Sequence, residues 1–456
     1  MVSGTSAQSS AEPTGGSASR GRDFRLFWLG GAANLFGSNA SALAMPILVL
    51  ALGGSALTAG AVGTVEATVQ VVLTPICGVF ADRGSRRALM TGALLVAALA
   101  TGAVAVGAGF HALSLPLVFA CVVVGGAATS VYSAAATASI RSLLPEQEPE
   151  KAIGSLQARE QGAKLAGPGI GGALYQLAAW VPFLVDAVSF VFAALCARAI
   201  RTDLRPVPAA EPSAERPPGF RREIADGLSF LWRQPFLRFV ALWAGSVNLL
   251  IGALSFAVIV AARLSGATAG QIGLVLTLAG AAGLAGALAA PLVLRRVRAG
   301  VVVIGASWAT AAVLVPLAVW PSLVTDAVAL VLLGLLAPVL SIIFQSKAVM
   351  LIPDGLQGRV GTALGTLAEG TGALAPLAAG ALVRVLSPST LALLFIAGLA
   401  LLAGYATLSA PLLRSAPPAD PTTDAQSSEA GGDGSDTAPP ERQSPSPEPY
   451  PVPAKG

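Results

Sequence analysis

The sequence predicts an all-α integral membrane protein of twelve transmembrane helices in two pseudo-symmetric halves of six. Three observations predict it. The 456 residues are 54% hydrophobic and only 11% charged, with a mean hydropathy of +0.73, whereas soluble domains carry about 25% charged residues. The basic residues fall at the ends of long apolar runs, on alternate loops. A segment of the first half returns in the second at a fixed offset.

Twelve apolar segments are long enough to cross a hydrocarbon core of about 30 Å. They run near 24–51, 57–81, 87–109, 115–139, 153–177, 180–200, 237–262, 268–293, 300–320, 323–346, 358–384 and 388–412. The 53 residues from Ala88 to Ile140 contain no Asp, Glu, Lys or Arg. As one helix they would reach roughly 80 Å, so they must fold back, and His111, Ser114 and Pro116 mark the turn. Charges and glycines interrupt the fifth and eleventh segments. The break at 201–236 is polar and proline-rich and divides a half at 21–200 from a half at 237–414. Residues 1–20 and 415–456 have the Ser, Pro and acidic composition of disordered tails. The first apolar run is too long for a signal-peptide core, so no cleavage is expected.

Charge asymmetry tests the count. If the N-terminus is cytoplasmic and the segments alternate, 25 of the 28 Lys and Arg fall on the cytoplasmic side or its margin, the exceptions being Lys164, Arg263 and Arg384. Cytoplasmic loops are enriched in Lys and Arg, and one missed segment would destroy the asymmetry. The repeat is a second test. "LLPEQEPEKAIGSLQAREQGAKLAGPGIGGAL" at 143–174 aligns without a gap with "LIPDGLQGRVGTALGTLAEGTGALAPLAAGAL" at 351–382. Pro168 meets Pro376, and Gly172 meets Gly380. Two similar halves of this kind place a ligand site at their interface near the bilayer midplane.

One loop concentrates charge. "GVFADRGSRRALM" at 78–90 holds Asp82, Arg83, Arg86 and Arg87 between two membrane-grade stretches. It resembles the loop between spans two and three of the major facilitator superfamily, roughly G-x-L-A-D-R-x-G-R-R, with Gly78, Asp82, Arg83, Arg86 and Arg87 on the matching positions and Ser85 where the family has its second glycine. The fifth segment resembles a motif of the family's antiporters, G-x8-G-x3-G-P-x2-G-G. Gly154, Gly167, Pro168, Gly171 and Gly172 match, and Ala163 replaces one glycine. The resemblance covers about 24–414, and the early segment "FRLFWLGGAANLFGSNASALAMPILVLALGGSALTAG" resembles, more loosely, a bacterial branch of small-molecule exporters. It implies a secondary transporter of a small amphipathic molecule such as a drug, siderophore or secondary metabolite, exported in exchange for protons. It also implies an inner-gate latch. Asp82 would face the start of span eleven, and Arg83 and Arg87 would meet cytoplasmic carboxylates. The fourth segment has no acid, which leaves Glu146 or Glu150 as substitutes.

Charges inside spans are expensive and are functional candidates. Glu66 and Glu369 lie mid-segment without a local partner and are the expected proton-coupling residues, Glu66 first. Glu160 and Lys164 stand four residues apart, in the order that favours neutralisation. Arg159 sits beside them, and Asp186 lies nearer the outer end of segment six, where a structural role is expected. Asn34, Asn39, Gln70 and Asn248 are candidate cavity-lining amides. Gly273, Gly280, Gly283 and Gly286 read as helix contacts.

Other function classes lack their signatures. No lysine sits in a G-x4-G-K-[ST] phosphate loop. His111 is the only histidine, so no H-E-x-x-H or Cys/His cluster exists for metal hydrolysis, and no enzyme activity, metal or cofactor is expected. Cys77, Cys121 and Cys196 lie in apolar runs as small hydrophobes. The net charge of +4 is a topology signal here, so no nucleic acid is expected. The expected partners are a small-molecule substrate, a proton and the lipid bilayer. The chain is expected to be a monomer in a bacterial plasma membrane with both termini cytoplasmic. Import of a small solute and a transport-inactive sensor or scaffold are the alternatives.

Overall fold

A computed structural model of the chain describes residues 14–81, 84–145, 148–204, 228–352, 357–409 and 411. Asp82, Arg83, Glu146 and the far ends of both expected tails lie outside these residues, as does most of the central break.

The described residues are helical from end to end. The first half comprises α1 (Thr14–Ala51), α2 (Ala56–Ala81), α3 (Arg86–Gly109), α4 (Leu115–Leu143), α5 (Pro149–Leu177) and α6 (Val181–Ala199). A short helix, α7, follows at 228–233. The second half comprises α8 (Pro235–Leu264), α9 (Ala269–Arg296), α10 (Ala299–Val313) with its continuation α11 (Val315–Val319), α12 (Leu323–Leu351), α13 (Gln357–Ala373) with its continuation α14 (Ala375–Val385), and α15 (Pro388–Leu408). The breaks at Leu314 and Leu374 each lie two residues before a proline, Pro316 and Pro376, which has no N–H to continue the ladder.

Among the described residues eleven stretches are long and apolar enough to cross a membrane. α5 is the helix of the expected twelve that is missing from that set. It has 29 residues, ample length, but Glu150, Lys151, Arg159, Glu160 and Lys164 dilute its apolar character. The outward faces carry large apolar side chains that water would not tolerate in such number. Leu99, Val188, Leu195, Leu288, Leu332 and Leu401 are all exposed, the pattern of a lipid-facing surface.

Local chemistry sets the turns. The α1–α2 and α8–α9 connections are built alike. Gly53 (φ +80°) and Gly266 (φ +90°) take the left-handed conformation. The next amides reach back to the preceding helix, Gly54 N to Val49 O at 3.0 Å and Ala267 N to Ala262 O at 2.9 Å. This is the glycine-terminated helix end. α9 and α12 open with reciprocal caps, Thr268 with Gln271 and Ser322 with Thr325.

In the first half α1 packs on α5 and α6, α3 on α4 and α6, and α2 on α4. In the second, α8 packs on α13 and α14, α9 on α12, and α10 on α15. Each half encloses its own apolar clusters, such as Met90, Leu94 and Phe190 in the first and Phe239, Trp243 and Phe344 in the second. A further cluster joins them, where Leu43 and Ile47 of α1 bury against Ala262 of α8 and Ile272 of α9. The halves otherwise meet chiefly where α5 packs on α9 and α2 on α14, with α2 also touching α13.

Candidate functional site

The two inter-half pairs form one seam, built twice. A Cβ at Gly60 of α2 would strike the carbonyl of Pro376, and one at Gly273 of α9 would strike the carbonyl of Pro168, 2.5 Å away. A Cβ at Gly380 would strike the carbonyl of Ala56, and one at Gly172 would strike that of Ala269. So the fifth helix of each half seats its proline and glycine on the second helix of the other half. Backbones approach this closely only where glycine removes the side chain. Thr64 of α2 adds a polar tie, its hydroxyl accepting from the Leu377 amide at 3.0 Å. That amide lies in the first turn of α14, where the break at Leu374 has freed it. Thr64 thus caps a helix of the opposite half. On the other side of the seam Gln176 Nε2 donates to Thr268 Oγ1 at 3.2 Å.

The seam lies at the end of the bundle that carries the 52–55, 178–180, 265–268 and 386–387 connections. The opposite end carries Arg86, Arg87, Arg141, Arg295 and Arg296. There a Cβ added at Gly154 or Gly162 of α5, or at Gly361 or Gly365 of α13, would meet nothing within 4 Å. None of these four glycines makes an inter-half contact of the kind that forms the seam.

Glu369 and Asn248 lie on α13 and α8 of the second half. Glu369 is exposed. It stands seven and eleven residues before Pro376 and Gly380, on the helix face that meets α2 further along. Asn248 of α8 is exposed beside it and donates from Nδ2 to the Ala368 carbonyl at 3.4 Å. Glu160 and Lys164 are exposed and ion-paired at 2.7 Å, as their order predicts.

The other expected site residues are sorted differently. Glu66 and Gln70 face a cavity of about 100 Å³ inside the first half, which Asp186 of α6 also faces. Asp186 is 3% exposed. Its Oδ2 accepts from Ser41 Oγ at 2.6 Å and its Oδ1 from Ser38 Oγ at 3.2 Å, both from α1. Asp186 therefore ties α6 to α1, the structural role expected of it, and it also borders the cavity that holds Glu66. Asn34 is buried and takes a weak bond from Ser38 at 3.4 Å. Asn39 is not among the residues lining the Glu66 cavity: its Nδ2 donates to Leu35 O of its own helix at 2.7 Å, and its Cβ packs against Gly167. Gly171 similarly lets α5 approach the Ala40 carbonyl. The glycines of the fifth-helix motif thus divide between α1 (Gly167, Gly171) and the opposite half (Gly172).

The arginines at the open end hold the first half together. Arg86 Nη1 donates to Ala138 O of α4 at 2.9 Å, and Arg87 Nη2 to Thr202 O beyond α6 at 2.7 Å. Asp23 Oδ2 accepts from the amides of Arg201 and Thr202 and from the Thr202 hydroxyl, at 2.9, 2.6 and 2.7 Å. Arg159 reaches α1, donating to the Phe27 and Trp28 carbonyls, and stands over the Phe27 ring at 5.7 Å. In this conformation Arg87 engages a backbone carbonyl of its own half, where the sequence motif led to a carboxylate partner.

Sequence reasoning missed Ser38, Ser41, Thr64 and Gly60. The three-residue spacing of Ser38 and Ser41 was a readable sign of one polar helix face. The roles of Thr64 and Gly60 depend on the other half and had no local sign. Among the described residues no three His, Cys, Asp or Glu side chains gather into a metal site.

Comparison with known proteins agrees with this architecture. Residues 27–376 match the model of the Major Facilitator Superfamily. Macrolide efflux protein A of Streptococcus pyogenes is 24% identical over 232 residues, which are 50% of this chain and 55% of that protein. The match thus spans about half the length of the curated relative. A bacterial homologue of the iron transporter ferroportin, in its inward-facing state, superposes with a TM-score of 0.62 at 18% identity, covering 85% of this chain and 98% of that one. The nucleoside transporter NupG superposes at 0.64 with 13% identity, covering 86% and 98%. The fold, the two-halved seam and a family match over most of the chain converge: the chain belongs to the Major Facilitator Superfamily.

Proposed function

We propose that the chain is a proton-coupled exporter of a small amphipathic molecule, working by alternating access in a bacterial plasma membrane with both termini in the cytoplasm. α5 is then the twelfth span. The observation that carries the reading is the pair of equivalent contacts, Gly60 with Pro376 and Gly273 with Pro168, at one end of the bundle. Two rigid halves hinged this way would expose a cleft between them to one side at a time. With the arginine-rich end cytoplasmic, this conformation is read as closed outward and open inward, and the likeness to an inward-facing transporter supports it. The likeness to a macrolide efflux protein supports export and an amphipathic substrate. Glu369 and Asn248 would meet substrate in the cleft, and the Asp82–Arg87 loop would bridge the halves when the inner end closes. The Glu160–Lys164 pair, neutralised internally, would carry no charge through the cycle.

The test is transport in liposomes holding the purified protein, with a radiolabelled macrolide and an imposed pH gradient. Protein-free liposomes serve as the control, because weak bases enter acidic lumens unaided. Protein-dependent accumulation in vesicles with an acidic lumen, abolished by a protonophore, is the expected result. Accumulation that ignores the gradient overturns the coupling.

A further inference from the structure

The cavity inside the first half is lined by first-half residues alone, and its chemistry is unbalanced. Two carboxylates face it, Glu66 from α2 and Asp186 from α6. The remaining lining is neutral. Ser38, Ser41 and Met45 come from α1, Gln70 from α2, and Thr101 from α3. Cys121 and Thr129 come from α4, and Phe183 and Phe190 from α6. No Lys, Arg or His lines it. The basic group next along α1 is Arg159 of α5, which is bound to the Phe27 and Trp28 carbonyls. Trp28 is ten residues before Ser38, roughly 15 Å along the helix. Cys121 is the only other titratable side chain on the wall, a neutral thiol.

The two acids are held differently. Asp186 is cradled by hydroxyl donors on both oxygens, Ser41 on one and Ser38 on the other. Glu66 makes no hydrogen bond or ion pair to any described residue, and it is half-buried where it faces the cavity. Two carboxylates facing one small cavity repel each other, and a proton held by one of them relieves that repulsion. Asp186 Oδ1 takes a longer bond from Ser189 Oγ at 3.4 Å, and among the described residues no third acidic, His or Cys side chain joins the two carboxylates into a metal cage. A proton needs no cage, and the cavity has room for the few waters that would carry it between the acids.

We propose that Glu66 and Asp186 share a proton in this cavity, making the first half a coupling-ion site physically apart from the substrate cleft. The site acts on the seam through α2. Glu66 lies two residues from Thr64, the residue that caps α14 of the opposite half. Gain or loss of the proton changes whether the α1–α2–α6 wall can relax around Glu66, and α2 carries that change to the contact that keeps the far end shut. This rests on reading the chain as an ion-coupled transporter, and it assigns Asp186 a part beyond bracing α1 against α6.

Infrared difference spectroscopy of the purified protein in lipid, stepped through pH in sodium-free buffer, reads the site directly. One component of the protonated-carboxyl band should titrate, lose at least half its amplitude in Glu66→Gln and in Asp186→Asn, and be absent from the double variant while the bands of the other carboxyl groups remain. If Asp186→Asn fails to fold, Ser41→Ala replaces it and should shift the midpoint of the band. A band unchanged in Glu66→Gln and in the second variant overturns the proposal. So does a band that responds to sodium and not to pH. The two readings can fail separately. A titrating, variant-sensitive band with macrolide flux indifferent to the gradient removes the coupled-export reading and leaves the proton site. Gradient-driven flux with no such band removes the site and leaves the export reading.

Discussion

Gly60 and Gly273 make the sharpest test of the seam. In the Gly60→Ala, Gly273→Ala double variant each new Cβ would lie inside 3.0 Å of a backbone carbonyl, that of Pro376 in one case and of Pro168 in the other. At Gly273 the separation must grow from 2.5 Å to at least 3.4 Å, so the helices must part by about 0.9 Å. The neighbours are backbone atoms within helices and cannot swing aside. Overpacking of this kind costs about 1–3 kcal/mol per site. The two sites sit in different helix pairs, so the penalties should nearly add, to roughly 2–6 kcal/mol. The penalty falls on the conformation with this end closed, because the opposite opening releases both contacts. At a factor of ten per 1.4 kcal/mol, the balance of states should move by at least roughly 30-fold. Ala67 supplies the reporter. It lies seven residues beyond Gly60 on the same face of α2, below the seam. With Cys77, Cys121 and Cys196 replaced by alanine, a cysteine at 67 is challenged with a membrane-impermeant maleimide from the seam side. The double variant should label faster by a factor approaching that shift. Gly92→Ala, where an added Cβ meets nothing within 4 Å, should label like the parent. Equal labelling of the parent and the double variant, both correctly folded, would refute the assignment of these contacts as the gate.

Three further outcomes follow from the geometry. Thr64→Val removes the cap on the Leu377 amide at nearly constant volume. It should weaken closure by about 1 kcal/mol, the usual value of a helix cap, seen as roughly fivefold faster labelling of the cysteine at 67. Arg87→Met removes a charged donor from the Thr202 carbonyl and should lower stability by about 1.5–3 kcal/mol, less where solvent screens it. A drop in the thermal unfolding midpoint of the detergent-solubilised protein checks it, and no drop would mean that Arg87 serves another conformation. Glu160→Gln together with Lys164→Gln should change the midpoint immeasurably, since exposed i,i+4 pairs contribute about 0.3–0.5 kcal/mol. A drop of several degrees would show that the pair is buried in the working protein.

The acidic candidates show where sequence legibility stops. Glu66 and Glu369 look alike in the chain, each a lone carboxylate mid-helix. The structure leaves Glu369 exposed on α13 and turns Glu66 to a cavity of the first half beside Asp186. A helix presents every direction to its surroundings, and only its packing partners decide which direction holds water. Asn39 makes the same point, for a polar residue of a plausible cavity helix spends its amide on its own backbone against Gly167. The charge count predicts α5 as a span although its composition alone falls short, because alternation of the neighbouring segments carries information that hydropathy does not.

By itself the sequence determined the membrane class, most helix boundaries to within about five residues, though α1 begins ten residues before its expected start, and a two-halved helical plan. All three rest on local or summed properties: apolar length against bilayer thickness, the side on which arginines fall, and the return of one segment at an offset of 208. It also singled out Pro168, Gly172, Pro376 and Gly380 as equivalent positions. Only the tertiary structure decided what those positions do. It seated each proline and glycine on the second helix of the opposite half, and it gathered Glu66, Asp186 and two serines around one cavity. Such contacts join residues more than ninety positions apart. They depend on how whole helices cross, which no local pattern in the chain encodes.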